Sequence, residues 1–238
     1  MRYLVKFEKK EMMVFISHLD TQRLFHRILK ISGVELKYSN GFNPHPKMSF
    51  ALPLSIGYNS VAEYMEFETL TPLAVNSALK DSFNQLTPVG IKALNLWSIP
   101  DKGKTAASLV VAARYKIEIP SFNSYLERIK DYLTADSIVV EKFSRKTDKA
   151  TSVDIKPQII SINPVLGDQG SIVLIATLEA NLNPEIMLRS LYKSTGMTYD
   201  RLSVRVERTA ILCMHDNELA PLEHLFVKNN RENIEHLE

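Results

Sequence analysis

Residues 15–53 read FISHLDTQRLFHRILKISGVELKYSNGFNPHPKMSFALP, and the order of elements in this stretch sets the fold. Ser17-His18-Leu19-Asp20 has the form of a capping box, with Ser17 as N-cap and Asp20 three positions on. Leu24, Phe25, Ile28, Leu29 and Ile31 then recur at helical spacing, and Gly33 ends the run. Beyond it, residues 34–39 and 47–52 predict strand on either side of the turn Asn40-Gly41-Phe42-Asn43-Pro44-His45-Pro46.

Working outward, residues 2–8 alternate apolar and polar as a strand before the helix, and 61–68 alternate again after the turn. Thr71-Pro72 predicts the start of a second helix reaching Leu86, and 90–97 predict a closing strand. A linker is expected over Ser98–Lys104, where serine, proline and glycine crowd together. The order then repeats, with strands at 109–119, 137–143, 153–162, 171–179 and 201–213 and helices at 122–133 and from Asn183 to Gly196. The fold class expected is α+β, two tandem ferredoxin-like (β-α-β-β-α-β) halves with antiparallel sheets. The expected boundaries are 1–98, 109–214 and an acidic tail over 215–238.

At 238 residues, 45% hydrophobic and 24% charged, the chain has the composition of a globular protein that buries a core. No apolar run approaches the length of a membrane helix, so no membrane partner is expected. The N-terminus reads as a strand rather than a leader. The single cysteine, Cys213, excludes an internal disulfide and any iron–sulfur cluster or zinc site needing several thiolates. A reducing cytoplasmic setting follows, and no cofactor is expected. Neither a P-loop, nor a dinucleotide glycine fingerprint, nor a GxSxG elbow occurs. Cys213 and Trp97 read as packed side chains.

Charge is unevenly spread behind a net +2: residues 1–50 hold nine Lys/Arg against four Asp/Glu, and 215–238 hold two against six. That asymmetry suits a polyanionic partner, although a solvated surface with an acidic tail gives the same counts. Arg23, Arg27 and Lys30 follow i, i+4, i+7 spacing, a cation row suited to phosphate oxygens. In the turn, Pro44 and Pro46 fix the backbone around His45. Tyr38 and Phe42 offer rings on which bases stack, and His45 and Lys47 offer phosphate contacts. The bland readings are a solvated helix face and a tight structural turn. His18, Asp20 and His45 are candidates for histidine-based RNA cleavage or for a two-histidine, one-carboxylate metal site, with Asp20 already engaged as a capping partner.

FISHLD, GFNPHPK and SFALPL followed by Gly57 and Glu63-Tyr64 occur in the order and spacing of a known family. On these motifs the chain resembles the radical SAM-linked protein family, known also as DUF2344. The likeness is strong over residues 1–70 and weaker through VDIKP (153–157) and RTAIL (208–212). The resemblance implies a stand-alone domain partnered by a separately encoded radical SAM enzyme, since this chain lacks a CxxxCxxC. The function expected is an accessory RNA-binding protein presenting tRNA or rRNA to that enzyme, without activity of its own. The alternatives are a histidine-based or metal-assisted RNA-processing enzyme and a protein–protein docking module.

Overall fold

Leu4 and Val5 point to opposite faces of the first strand, β1 (Arg2–Lys9), and both are buried. A strand covered on both faces is central, and β1 lies between two antiparallel neighbours, β3 (Asn59–Glu68) and β4 (Ile91–Ile99). The structure, a computed structural model, describes residues 1–120, 126–144, 149–167 and 171–226. These residues form a mixed α+β protein with largely antiparallel sheets, divided into one unit of 1–111 with the chain from Arg208 onward and a second of 112–207. Among the described residues no helix is long and apolar enough to cross a membrane.

In the first unit, Tyr3, Val5 and Phe7 pack with Met65 and Phe67 against Phe25, Ile28 and Leu29 of α1 (His18–Ile31) and Phe83 of α2 (Ser77–Leu86). On the opposite face Leu4, Ala62, Tyr64 and Trp97 cluster with Ile211 and Cys213 of β10 (Arg205–His215), the next strand beside β3, and with Leu222 and Phe226. A short β2 (Met48–Phe50) pairs antiparallel with the far half of β3.

Several expected boundaries move, each for a local reason. Of the strands expected at 34–39 and 47–52, only β2 forms; the rest reduces to the bridges Leu36 to Thr69 and Tyr38 to Pro46. Pro44 and Pro46 have no N–H to donate to a ladder. The second helix begins at Ser77 rather than at Thr71-Pro72. Asn76 Oδ1 accepts from Leu79 N at 2.9 Å, while the Tyr3 hydroxyl holds Leu73 N at 2.8 Å and keeps the preceding segment out of the helix. The stretch read as a linker is clamped: Arg2 donates to the carbonyls of Pro100 (2.8 Å) and Lys104 (3.1 Å), and Glu66 accepts from Ala106 N at 2.8 Å. Ala106 opens the short helix α3 (Ala106–Leu109).

The second unit has an antiparallel sheet with β9 (Ile172–Glu179) between β5 (Ala112–Ile119) and β8 (Ile159–Leu166). A separate two-stranded antiparallel sheet pairs β6 (Val139–Ser144) with β7 (Lys149–Asp154). The single strand expected at 153–162 is two, because Pro157 starts a 3-10 turn over Lys156–Gln158. The Asp154 carboxylate fixes that turn by accepting from Ile138 N and Lys156 N. The helices are α4 (Leu126–Thr134) and α5 (Pro184–Thr195). Asn183 caps α5, and Gly196 ends it at φ 76°, in the left-handed region.

The expectation of an acidic tail from residue 215 is corrected over its described part. Asp216 and Asn217, both at positive φ, turn β10 back into β11 (Glu218–Pro221). Leu222 and Phe226 then enter the core, so apolar burial overrides the acidic composition of this segment. Residues 227–238 lie outside the described residues. The break expected at 98–109 falls at 111, and Arg208 to Phe226 groups with the first unit rather than the second.

Candidate nucleic-acid interface

Helix α1 starts where its capping box demands. Ser17 Oγ accepts from Asp20 N at 3.1 Å, and its hydroxyl donates to the Asp20 carboxylate at 2.7 Å. These bonds, with Arg23 Nη1 at 2.9 Å, hold the Asp20 carboxyl below its ordinary range. The buried stripe Thr21, Phe25, Ile28 and Leu29 turns Arg23, Arg27 and Lys30 outward, and all three are exposed. Arg23 is paired with Asp20. Among the described residues Arg27 and Lys30 have no ion-pair partner.

The 38–47 turn is closed by Ser39 N donating to the His45 carbonyl at 2.8 Å and by His45 N donating to Ser39 Oγ at 3.0 Å. Gly41, at φ 129°, makes the reversal. The ring beside it, Phe42, is fully exposed, and His45 is exposed as well. Lys47 reaches the Glu68 carboxylate at 3.4 Å, which Lys37 shares at 3.1 Å. Burial raises the Glu68 carboxyl, but the two lysines outweigh it and hold the group below the usual range. Helix and turn meet at one contact: His26 Nε2 lies 3.2 Å from the Tyr38 hydroxyl, with the rings edge to face at 6.3 Å. His26 sits within the helix turn of Arg23, Arg27 and Lys30, so Tyr38 brings the turn to the cation row.

His18, Asp20 and His45 are not assembled into one centre. Among the described residues no group of three or more His, Cys, Asp or Glu is placed to hold a metal ion. Asp20 is committed to Ser17 and Arg23. His18 is turned inward, edge-on to Phe50 at 5.3 Å, with Nε2 3.1 Å from the Gln22 amide. Cys213 is a buried free thiol, pushed up by burial.

His18 lines a recess with Phe7, Lys9, Thr21, Phe50, Leu52, Pro53, Leu54 and Glu63, whose free volume is about 10 Å³. Arg208, fully buried, holds two of these residues: it donates through Nε (2.9 Å) and Nη2 (2.5 Å) to Glu63 and through Nη2 to the Leu52 carbonyl (2.7 Å). Lys9 is 4% exposed and donates to the Ile16 carbonyl at 3.0 Å. Burial lowers its ammonium, against a partial offset from Glu63. Burial and the Lys9 charge likewise lower the His18 imidazole. Lys9, Glu63 and Arg208 are absent from the site residues that the sequence suggests. The signal was present in the motifs: Ile16 and His18 belong to FISHLD, Phe50 to Leu54 to SFALPL, Glu63 to the EY pair and Arg208 to RTAIL.

Two solved structures give the scale of the fold likeness. A chain in the crystal structure of a Cbf5-Nop10-Gar1 complex is 10% identical, with a TM-score of 0.50 over 88% of this chain and 48% of that one. A chain in the structure of an H/ACA RNP bound to a substrate RNA containing 2'-deoxyuridine is 9% identical, with a TM-score of 0.47 over 88% of this chain and 47% of that one. The protein thus spans about half the length of the solved chains it matches. No curated protein matches it in sequence. Residues 2–189 match the family described as an uncharacterized protein conserved in bacteria, DUF2344, and the chain belongs to that family.

Proposed function

We propose that the protein is an accessory RNA-binding protein of the cytoplasm, holding a structured RNA, tRNA or rRNA, for a separately encoded radical SAM modifying enzyme. The observation that supports RNA most directly is the His26 to Tyr38 contact. It joins a row of exposed cations to a turn bearing a fully exposed ring. On this reading Arg27 and Lys30 contact phosphates, Arg23 and Lys47 do so by exchanging Asp20 and Glu68 for the RNA, and Phe42 stacks on an unpaired base while His45 meets the adjoining backbone. The surface is open, as a duplex backbone or a hairpin loop requires.

The radical SAM partnership rests on the motif resemblance alone. In the same proposal each unit is ferredoxin-like: the antiparallel order β4-β1-β3-β2, with α1 and α2 in the connections, supports this for the first unit, and β5-β9-β8 supports it for the second. A binding titration against tRNA and rRNA fragments at two salt concentrations tests the function. Binding at low salt that weakens steeply with added salt is expected. No binding at low salt, or equal binding at both, overturns it.

A further inference from the structure

The recess beside His18 carries more charge than its protein neighbours balance. Arg208 and Glu63 cancel as a pair, and burial with the Lys9 charge lowers the His18 imidazole. Lys9 is then a cation 96% removed from solvent, being 4% exposed, with one protein acceptor for its three N–H donors among the described residues. Buried donors are ordinarily satisfied, so two open positions on a buried ammonium lining a recess call for acceptor oxygen. The free volume of about 10 Å³ admits one oxygen atom and no larger group.

His18 lines the same recess from another element. Its Nε2 lies 3.1 Å from the Gln22 amide nitrogen, and a neutral ring that accepts there carries its proton on Nδ1. His18 is also the first residue of α1, where the helix field favours negative charge. Lys9 of β1 and His18 in the first turn of α1 both line the recess, a pairing that suits a tetrahedral group sending one oxygen inward and keeping its others at the mouth. The Glu63 carboxylate also lines the recess, but Arg208 occupies both its oxygens.

We infer that this recess is a subsite for one phosphate group, with Lys9 donating to the oxygen that enters it. The subsite is distinct from the cation row of α1 and is read without RNA, so its failure and the failure of the RNA reading are separable.

The test is an NMR titration of the full chain with inorganic phosphate, observing the Lys9 side chain and the His18 ring. Saturable shifts of both are expected, with the Lys9 ammonium becoming harder to deprotonate as phosphate binds. Acetate is expected to bind at least about tenfold more weakly, bringing a smaller negative charge than phosphate to the Lys9 ammonium. Lys9→Met is expected to remove the saturable shift of His18. Adenosine 5'-monophosphate separates a bare phosphate site from one that belongs to a nucleotide: equal affinity marks the first, tighter binding the second. Absence of saturation with phosphate, equal binding of acetate, or an unchanged response in folded Lys9→Met overturns the inference. If that variant does not fold, the titration of Lys9 in the wild-type protein decides alone.

Discussion

Arg208 and Glu63 are 145 positions apart in sequence, and their side chains meet through three hydrogen bonds of 2.9, 2.5 and 2.6 Å in a site closed to solvent. The pair ties β10 to β3 while Arg208 also holds the carbonyl of Leu52, so one guanidinium fixes three segments of the first unit.

Removing one partner leaves the other charged and buried. Arg208→Ala is expected to cost about 3–5 kcal/mol. The double variant Arg208→Met/Glu63→Leu, which removes both charges, is expected to recover most of that loss. Urea denaturation of the single and double variants gives the comparison; a single variant as stable as the wild type would contradict the buried pair.

Phe42 has no packing to lose. Phe42→Ala is expected to leave the melting temperature unchanged and to weaken RNA binding by about 1–3 kcal/mol, the value of one stacked base. Equal RNA affinity with and without the ring would remove stacking from the interface.

Arg27 and Lys30 act through phosphates on the proposed reading. Each substitution to alanine is expected to weaken binding evenly across RNA sequences and to lower the slope of log K against log[salt] by about 1. The slope is read from titrations at several salt concentrations, and an unchanged slope in the double variant places the cations outside the contact.

His18 makes stability depend on pH. Burial and Lys9 depress its folded pKa below the unfolded value of about 6.5, so the proton prefers the unfolded chain. The contribution of neutral His18 is fully present above that unfolded value. It is lost as pH falls below about 6.5 toward the lower folded pKa. Chemical denaturation at pH 8 and pH 5.5 is expected to show a decline that is smaller in His18→Gln, the only variant needed for the comparison.

Gly90 is at φ 95°, and a Cβ there would lie 2.4 Å from the Lys10 carbonyl oxygen, which is backbone. Gly90→Ala is expected to destabilise the protein by about 1–3 kcal/mol, from the left-handed backbone alone and more from the contact. Thermal melting checks it, and an unchanged midpoint would show that the 88–91 turn relaxes freely.

Local chemistry made much of this architecture legible. The Ser17 and Asn183 caps, the Gly33 and Gly196 stops and the alternation in β1 and β3 all depend on residues close in sequence. Thr71-Pro72 misleads because the Tyr3 hydroxyl that accepts from Leu73 N lies 70 positions away in sequence. The acidic composition after 215 hid the burial of Leu222 and Phe226, since composition does not say which residues reach a core. The same limit governs the site. The exposed row on α1 follows from helical spacing, but the meeting of Lys9, His18, Glu63 and Arg208 depends on strand order, which no local pattern encodes. Asp20 and His45 share a segment with His18, as do Gln22 and Phe50 that touch it, but Lys9 and Glu63 reach the recess from β1 and β3.

The apolar cluster on the far face of the first sheet is completed by residues 211–226, which follow the whole second unit in the chain. During synthesis Leu4 and Tyr64, and last of them Trp97, therefore leave the ribosome roughly a hundred residues or more before residues 211–226 do, a wait of several seconds at typical elongation rates. Throughout that interval the nascent first unit presents a bare apolar face. Chains that terminate early, before Leu222, are expected to be clients of holding chaperones or to aggregate, whereas the second unit has no such delay for β5, β8 and β9.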